Sequence, residues 1–478
     1  MSMDGQQEPP KHIKLPKSQI TPEFISKIRK LREKKRAENE ENNPEFLNSK
    51  YDFIKRAILQ LPNVEELDNS VDLKIMTYNT LSQSLIRREI YPDAHDAIKW
   101  HVRSKVILNE IKYYNCDIMC FQEVDVIQWD KFWLPELSKL GYEGEFYKDF
   151  RGPKVHGVAI FWRSNLFEQF DVIKINFDDI VAGNAISKTT RTWNVGLIVA
   201  LKFKSSNAKF RSGIVIGTTH LFWHPFGTFE RTRQLAILLK KFRKLIDNLN
   251  TECGHINEMS NRWLPILTGD FNSQPCDMPY LSITSKPVSA SGEAKTVIEC
   301  STAYKFSRRR SGSINSSEEV DHNEETQSEK EVEEEEDEES NPIDPRPSHF
   351  EATSEQKDLI AKLEKVHNSI NLKATSLFGI AYKKVHSIGL NCKNEPELSH
   401  TSIFWTGLLD YIFILEPWNE VEKTDWGSLE DFEKRMSLRV KGLLKMPEMK
   451  ELPKNVQPHQ GQYPSDHLSM ICDLNVRI

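Results

Sequence analysis

Five short segments rich in carboxylate, amide and imidazole side chains constrain the fold of this 478-residue chain most strongly. They are Met76–Leu81 (MTYNTL), Phe121–Asp125 (FQEVD), Thr218–Pro225 (TTHLFWHP), Leu267–Pro275 (LTGDFNSQP) and Tyr463–Met470 (YPSDHLSM). Most of them begin in an apolar, strand-like run and end in polar residues. Because segments at strand ends commonly carry functional side chains, the sequence predicts a fold that gathers these five segments at one site.

The sequence between these motifs alternates between strand and helix patterns. Apolar runs predict strands at residues 71–78, 116–121, 157–162, 195–203, 213–219, 265–268 and 408–415. Apolar residues at helical spacing predict helices at Trp100–Tyr114 and Arg231–Leu249. Strands that are interleaved with helices indicate a layered α/β domain.

Negative charge is concentrated in one tract of the chain. Residues Glu318–Glu339 contain 14 Asp and Glu and one Lys, a net charge of −13, whereas the whole chain carries −6. The remainder therefore carries +7. A basic body suits a polyanionic substrate better than the overall charge does.

The sequence predicts an intracellular protein that is cytoplasmic, nuclear or both. Its seven cysteines are scattered and form no CxxC pair, which indicates a reducing compartment. The start of the chain lacks the apolar core of a signal peptide. No run approaches the roughly 20 apolar residues of a membrane span, so no membrane association is predicted.

Composition also predicts the domain organisation. Residues 1–50 are predicted to form a basic, largely disordered N-terminal arm. A helix is predicted from Thr21, and it is either an RNA-contacting or localisation element or a solvated surface helix. Residues 51–478 are predicted to form one domain that carries all five motifs and is therefore the candidate catalytic domain. Residues 307–353 are predicted to be a disordered acidic insertion in a surface loop of that domain.

Two polar residues follow the first strand-like runs. Glu123 follows the apolar run DIMCF after one intervening residue, and a carboxylate at a buried strand end needs either a cationic partner or a metal ion. Asn79 follows the run LKIMTY, where its amide could position water, support a metal site or simply form a turn. Taken alone, each residue is compatible with a purely structural role.

Three later segments supply acids and imidazoles. Asp270 and Asn272 follow a strand at i, i+2 spacing, which favours a base and a phosphate-holding amide but also fits an Asx turn. Asp466 and His467 are adjacent, so the carboxylate could bind a metal while the imidazole contacts phosphate. Asp410 precedes the run YIFI and could orient that imidazole. Together, these residue types are the ones that metal-assisted phosphoester hydrolysis requires.

The set of motifs resembles the endonuclease/exonuclease/phosphatase superfamily. Within it, the chain is most similar to the branch of poly(A) deadenylases, nocturnin, angel proteins and fungal Ngl-type RNases. The resemblance runs from about Leu73 to Asp473, outside the acidic insertion, and the motifs occur in the family's order. It implies a four-layered α/β sandwich, in which two central mixed β-sheets are flanked by helices. It also implies dependence on Mg²⁺, with Mn²⁺ as a substitute.

The family pattern assigns roles to individual residues of this chain. The implied catalytic residues are Asp270, Asn272, His220, Asp410 and His467; the implied metal-site residues are Glu123, Asp466 and Asn79; and the implied substrate contacts are Asn194, Trp223, His224, Pro225 and Trp405. Two departures concern the substrate contacts. The deadenylases have Trp-Asn-Pro or Trp-Asp-Pro where this chain has Trp223-His224-Pro225, and Phe where it has Trp405. The preference for adenine is therefore left open.

The resemblance implies an RNA 3′-exonuclease that acts on RNA with a 3′ end, in poly(A) removal or in 3′-end processing of RNA such as ribosomal RNA. Two alternatives are a phosphatase of a small nucleotide-type phosphate ester and a non-catalytic RNA-binding scaffold. The sequence contains no leucine-rich repeats ahead of the catalytic domain, so it predicts no docking module for a protein partner.

Overall fold

The computed structural model describes residues 51–62, 64–183, 186–205, 209–252, 262–306, 341–419 and 427–478. Its strands are β1 (Ile58–Gln60), β2 (Ser70–Asn79), β3 (Ile118–Asp125), β4 (Tyr142–Tyr147), β5 (His156–Arg163), β6 (Phe167–Asn176), β7 (Val195–Phe203), β8 (Gly213–His220), β9 (Trp263–Asp270), β10 (Leu372–Ser376), β11 (His400–Thr401), β12 (Thr406–Gly407), β13 (Asp410–Pro417), β14 (Leu438–Leu444) and β15 (Met470–Arg477). Its α-helices are α1 (Trp100–Tyr114), α2 (Val126–Gln128), α3 (Leu134–Lys139), α4 (Thr228–Glu252), α5 (Met278–Thr284), α6 (Gly292–Ala303), α7 (Ser354–Asn368), α8 (Leu377–Val385) and α9 (Leu429–Met436).

Two mixed sheets form the centre of the fold. The first has the strand order β1-β14-β15-β2-β3-β5-β4, and the second has the order β10-β13-β9-β8-β7-β6. Among the described strands of each sheet, one neighbouring pair is parallel: β2 with β3, and β8 with β9. The carboxyl ends of parallel neighbours meet at the same edge of a sheet, so each sheet brings two strand ends together.

The sheets pack face to face through apolar side chains, and helices cover their outer faces. Ile75 and Ile160 of the first sheet belong to the same buried cluster as Leu197, Ile216 and Leu267 of the second. Helices α4 and α8 pack on the second sheet, against β9 and β13, and α3 packs on β4 of the first. The predicted sandwich of two mixed sheets flanked by helices is therefore confirmed.

A glycine allows the second parallel pair to close. Gly269 has φ +144°, and a Cβ atom at this position would lie 2.2 Å from the carbonyl oxygen of Thr219 on the neighbouring strand. No side chain fits such a contact, so only glycine lets β9 approach β8 here. The residue that follows, Asp270, is the last residue of β9.

The predicted arm (residues 1–50) and residues 307–340 of the predicted acidic insertion lie outside the described residues. The remainder of that insertion, residues 341–353, is described. Here Arg346 forms ion pairs with Asp277 and Glu293, at 2.8 and 3.1 Å. Thr353 then caps α7 in a capping box with Gln356. Within the part of the chain that the structure describes, no helix is long and apolar enough to span a bilayer.

Candidate active site

The carboxyl ends of the two parallel strand pairs converge between the sheets. Asn79 is the last residue of β2, while His220 and Asp270 end β8 and β9 and lie opposite each other in register. The side-chain nitrogen of Asn79 donates to Glu123 Oε1 at 3.0 Å and to Asp270 Oδ2 at 2.9 Å. One amide therefore joins a carboxylate of the first sheet to a carboxylate of the second.

Glu123 lies at an irregularity of β3. The register with β5 shifts between Gln122 and Val124, and Glu123 has φ +59°, in the left-handed region. This bulge removes Glu123 from the regular alternation of the strand and thus re-aims its side chain. The backbone N–H of Ser82 donates to Glu123 Oε2 at 2.8 Å. Burial opposes ionisation, but the neighbouring His220 imidazole and these donors hold the pKa of Glu123 below its usual value.

Asp270 is buried and surrounded by donors. Its Oδ2 lies 3.5 Å from His220 Nε2 and 3.5 Å from His467 Nε2, in addition to the bond from Asn79. Burial opposes ionisation, but the imidazoles of His220 and His467 lower the pKa of Asp270. The carboxylate is consequently ionised at neutral pH and available to accept a proton.

Asn272 forms the turn that follows Asp270. Its backbone N–H donates to Asp270 Oδ1 at 2.9 Å, and its side-chain nitrogen donates to the carbonyl of Leu221 at 3.0 Å. Its φ is +47°. The Asx turn that the sequence offered as an alternative is therefore present, and it coexists with an ionised carboxylate in the site.

His467 and Asp410 form a buried pair. His467 Nδ1 lies 2.8 Å from Asp410 Oδ2, and Ser399 Oγ donates to the same oxygen at 2.7 Å. Burial disfavours the charged imidazole, but the carboxylates of Asp410 and Asp270 outweigh it and raise the pKa of His467 to about 10. His467 is thus an imidazolium whose Nε2 faces Asp270.

Asp466 is a further carboxylate whose charge interacts with that of Glu123. The hydroxyl of Tyr91 donates to Asp466 Oδ2 at 3.3 Å. Burial and the repulsion from Glu123 raise the pKa of Asp466 to about 6. Nearby, the buried Arg103 donates to the backbone carbonyls of Leu81 and Pro464, at 2.7 Å each, and so ties the loop after β2 to the loop that precedes Asp466.

The carboxylate oxygens of Glu123 and Asp466 suit a divalent cation. Ligand atoms of Asp270, Asp410 and His467 lie within 4.8 Å of one another and form one acidic group with metal-binding potential. However, a protonated His467 offers no lone pair. Glu123 and Asp466 offer hard oxygen atoms, which Mg²⁺ and Mn²⁺ prefer, and their mutual repulsion would be relieved by a cation. These two carboxylates are therefore chemically suited to hold a metal ion.

Asn194 supports the position of His220. Its side-chain nitrogen donates to the backbone carbonyl of His220 at 2.7 Å. Its Oδ1 is buried and accepts no hydrogen bond from the described residues. His220 Nδ1 lies 3.9 Å from Glu123 Oε1, so its ring stands between the carboxylates of the two sheets.

Aromatic side chains form the rim of the site. Trp223 is 49% exposed and is three residues from His220. His224 is half-buried among aromatic rings, including Tyr304 at 5.1 Å between centroids, and the adjacent Pro225 is exposed. Trp405 is 37% exposed and stacks on His400, with an interplanar angle of 25°. Four of the five predicted substrate contacts are therefore at least partly exposed, whereas the fifth, Asn194, is buried.

Two further histidines and a lysine belong to the site although sequence reasoning did not identify them. The ring of His400 lies 4.6 Å from that of His467, and burial lowers the pKa of His400 to about 3. His156, the first residue of β5, is also held neutral by burial, with a pKa of about 3. The charge of Lys154 interacts with Glu123. A polar residue at the start of the apolar run HGVAIFW was the available signal for His156, whereas the short hairpin that carries His400 gives no such signal.

Comparisons with known proteins agree with this geometry. A family model described as "Endonuclease/Exonuclease/phosphatase family" matches residues 76–326. RNA exonuclease NGL2 of Saccharomyces cerevisiae is 44% identical over 480 residues, which cover 96% of this chain and 90% of that protein. Probable RNA exonuclease NGL3 of the same organism is 37% identical over 484 residues, covering 98% and 92%.

A solved structure supports the fold independently. The crystal structure of ANGEL2, a 2′,3′-cyclic phosphatase, aligns with a TM-score of 0.54 at 21% sequence identity, over 89% of this chain and 99% of that one. At this identity the likeness concerns the fold alone. Since the family model spans more than half of the chain and NGL2 matches nearly all of it, the resemblance in the motifs is confirmed. The chain belongs to the Endonuclease/Exonuclease/phosphatase family and is an enzyme of the phosphoester hydrolase type.

Proposed function

We propose that this chain is a divalent-metal-dependent 3′-exonuclease that hydrolyses phosphodiester bonds of RNA. The observation that carries the proposal is the bridging amide of Asn79, which keeps Glu123 and Asp270 within one hydrogen-bonded unit. Glu123 would help to hold the metal and Asp270 would activate the attacking water. Two carboxylates that are held this close together suit in-line attack on a phosphate placed between them. The names of the relatives NGL2 and NGL3 support RNA as the substrate.

Glu123 and Asp466 would hold the cation, and Asn79 would orient Glu123. We infer Mg²⁺ as the physiological ion, with Mn²⁺ as a substitute, because the carboxylates of Glu123 and Asp466 offer the hard oxygen ligands that both ions prefer. When bound, the ion supplies neutralisation of the phosphate oxygens and of the leaving oxygen. The raised pKa of Asp466, about 6, supports this assignment because a cation would favour the ionised carboxylate.

Asp270 acts as the base in this proposal. Its Oδ2 faces the space between the sheets and its Oδ1 is held by the N–H of Asn272, so the carboxylate has a fixed orientation. It accepts a proton from the attacking water, which becomes the nucleophile at phosphorus. Asn272 is thus a positioning residue, and its own side chain is held by Leu221.

Positive charge opposite the base stabilises the transition state. The imidazolium of His467, whose charge is maintained by Asp410, directs Nε2 toward the region of Asp270. His220 presents Nε2 to the same oxygen from the other side. Donors fixed in this way stabilise the charge that develops on the phosphate oxygens without further reorganisation.

The rim favours a nucleic-acid strand over a small ester. Outside the acidic tract the chain carries +7, and the exposed rings of Trp223 and Trp405 offer flat surfaces to bases. Base stacking on an aromatic ring tolerates any base, which is compatible with poly(A) tails as well as with 3′ ends of ribosomal RNA precursors. We infer that Asn194, His224 and Pro225 border the same strand path.

The proposal is tested by incubating the purified full-length chain with 5′-labelled RNAs that differ only in their 3′-terminal sequence. We expect a ladder that shortens from the 3′ end with Mg²⁺ or Mn²⁺, and no cleavage with excess chelator. The Glu123→Gln variant, assayed in parallel, excludes a contaminating nuclease. A matched set of RNAs with blocked 3′ ends distinguishes exonucleolytic from internal cleavage.

The two alternatives predict different results in the same assay. A phosphatase of small nucleotide-type esters would not shorten the RNA but would release phosphate from a small ester. A non-catalytic scaffold would retain RNA in a binding assay without cleaving any substrate. Turnover that persists in excess chelator would contradict the metal-dependent mechanism.

A further inference from the structure

Two thiols that are distant in sequence lie next to each other beside the active site. Cys276 Sγ and Cys392 Sγ are 2.8 Å apart although 116 residues separate them. Cys276 is half-buried and Cys392 is exposed, and both are free thiols. Cys276 follows Asn272 by four residues, and Cys392 precedes Ser399 and His400 on the chain. The pair thus joins the loop between β9 and α5 to the loop between α8 and β11.

Local hydrogen bonds hold each loop in place. Around Cys276, the N–H of Gln274 donates to Asp277 Oδ2, and the N–H of Asp277 donates to the carbonyl of Gln274, both at 3.0 Å. Around Cys392, the N–H of Lys393 donates to Asn391 Oδ1 at 2.9 Å. The close approach of the two sulfur atoms is therefore set by two ordered turns.

A buried contact fixes the two loops relative to each other. Tyr280, in helix α5 just after Cys276, donates from its hydroxyl to Glu395 Oε1 at 2.9 Å. Glu395 is fully buried in the loop that carries Cys392. Because this bond does not depend on the cysteines, it would keep the sulfur atoms adjacent in either redox state.

We propose that Cys276 and Cys392 are a reversible disulfide site, which cross-links the two loops at the edge of the active site without displacing the catalytic groups. A disulfide has an S–S bond of about 2.05 Å, so the sulfur atoms need to approach by less than 1 Å. The proposal does not depend on which substrate the enzyme hydrolyses.

Exchange with a small disulfide such as oxidised glutathione completes the chemistry. The Cys392 thiolate, which is exposed, attacks one sulfur of the oxidant, forms a mixed disulfide and releases one glutathione thiolate. Cys276 then loses its proton and attacks the Cys392 sulfur, and the second glutathione thiolate leaves. In total, two protein thiols lose two electrons and two protons, and one oxidant disulfide is reduced to two thiols.

The surroundings favour this order of steps. Burial and the hydrogen bond with Cys392 raise the pKa of the Cys276 thiol to about 11, so the exposed sulfur is the first nucleophile. Once Cys392 is part of a mixed disulfide it carries no charge, and its repulsion of a Cys276 thiolate is removed. The other cysteines of the described residues, Cys116, Cys120, Cys300 and Cys472, are buried away from such an oxidant.

The experiment equilibrates the full-length chain with oxidised glutathione, blocks the remaining thiols and maps the peptides by mass spectrometry. We expect one linked peptide pair, Cys276 with Cys392, which disappears on addition of dithiothreitol. Cys276→Ser and Cys392→Ser should each abolish it, and Cys300→Ser should not. Cys253, which lies outside the described residues, is followed in the same map.

Thermal unfolding and RNA hydrolysis are then measured on the oxidised and reduced forms. A cross-link that closes a long loop restricts the unfolded chain, so the oxidised form should have the higher Tm. Hydrolysis rates of the two forms should agree within twofold. Free thiols at both positions after oxidation, or a link to a different cysteine, would overturn the proposal. A linked pair with a large loss of activity would overturn the claim that the geometry is preformed.

Discussion

Two buried histidines in different regions of the molecule differ in protonation state: one imidazole is positively charged and the other is neutral. In the active site, His467 lies between the carboxylates of Asp410 and Asp270, and its pKa is raised to about 10. Between α4 and α7, His367 is equally buried, but its Nε2 faces the carbonyl of Thr232 at 2.9 Å and Lys286 lies nearby. Burial and that lysine lower the pKa of His367 to about 3.

The comparison shows that burial alone does not produce a reactive group. Burial disfavours the charged form of both imidazoles, and the difference comes from the neighbours that each region supplies. In the active site the neighbouring carboxylates come from strands of the second sheet and face a common space. At the α4–α7 interface, Lys286 donates to the carbonyl of His367 at 2.6 Å, so a positive charge rather than a carboxylate lies near this imidazole. The following predictions test this contrast.

The largest effect is expected at Glu123. The change Glu123→Gln keeps the shape of the side chain but removes the carboxylate charge that would hold the metal. Because such an ion contributes several kcal/mol of transition-state stabilisation, the rate should fall by about 10³-fold or more. Single-turnover hydrolysis of a labelled RNA measures this loss. The exposed Glu143→Gln is the matched control, and a Glu123→Gln rate within tenfold of wild type would contradict the assignment.

Asp270→Asn should slow hydrolysis by two orders of magnitude or more, the usual scale for a positioned base. RNA binding should persist, because the amide retains the hydrogen-bonding shape around Asn79. Rapid-quench kinetics and filter binding separate the two properties, with the exposed Asp358→Asn as the control. Hydrolysis at the wild-type rate would mean that Asp270 only stabilises the turn at Asn272 and is not the base.

Asp410→Asn should alter the pH dependence as well as the rate. The carboxylate raises the pKa of His467, so its removal lowers that pKa and the imidazole loses its proton at a lower pH. Activity should fall about tenfold or more at pH 7, and the loss should increase as the pH rises. A variant with a uniform loss at every pH would indicate a structural role for Asp410 instead.

Trp405→Ala should raise KM for RNA about tenfold, since loss of one stacked base costs about 1–3 kcal/mol. The rate at which bound RNA is hydrolysed should change little. Trp405 has no group for proton or metal chemistry and is partly exposed beside His400. A small phosphodiester without a base serves as the control substrate. Equal losses on both substrates would make Trp405 a packing residue and favour the small-ester phosphatase.

The smallest effect on activity is expected at His367, the buried histidine outside the active site. His367→Gln should leave hydrolysis unchanged but alter how stability depends on pH. Because the folded pKa of His367, about 3, lies below the unfolded value, the wild type gains stability from this residue above about pH 6.5 and loses it as the pH falls toward 3. The difference in free energy of unfolding between wild type and His367→Gln should therefore shrink from pH 7 to pH 5. The exposed His349→Gln should produce no such change.

Much of the secondary structure could be predicted because local patterns determine it. Helix α1 and strand β7 have the predicted bounds, and β2, β5 and β8 differ from their predictions by one or two residues. The polar motifs were likewise recognisable, since most of them follow an apolar run. The other eight described strands were not predicted: β1, β4, β6, β10, β11, β12, β14 and β15. In β6, for example, many exposed polar residues leave only a weak alternation of apolar and polar side chains.

The sequence by itself determined the family, the sandwich of two mixed sheets and the identities of the acids, amides and imidazoles at the strand ends. Tertiary structure alone decided which of them meet. Asn79 and His467 are 388 residues apart, and only the sheet order brings their side chains within 3.5 Å. It also decided that His400 and His156 join the site and that His467 is charged while His367 is neutral. The reason is physical: a pKa depends on charges and burial within a few ångströms, and sequence spacing does not specify that environment.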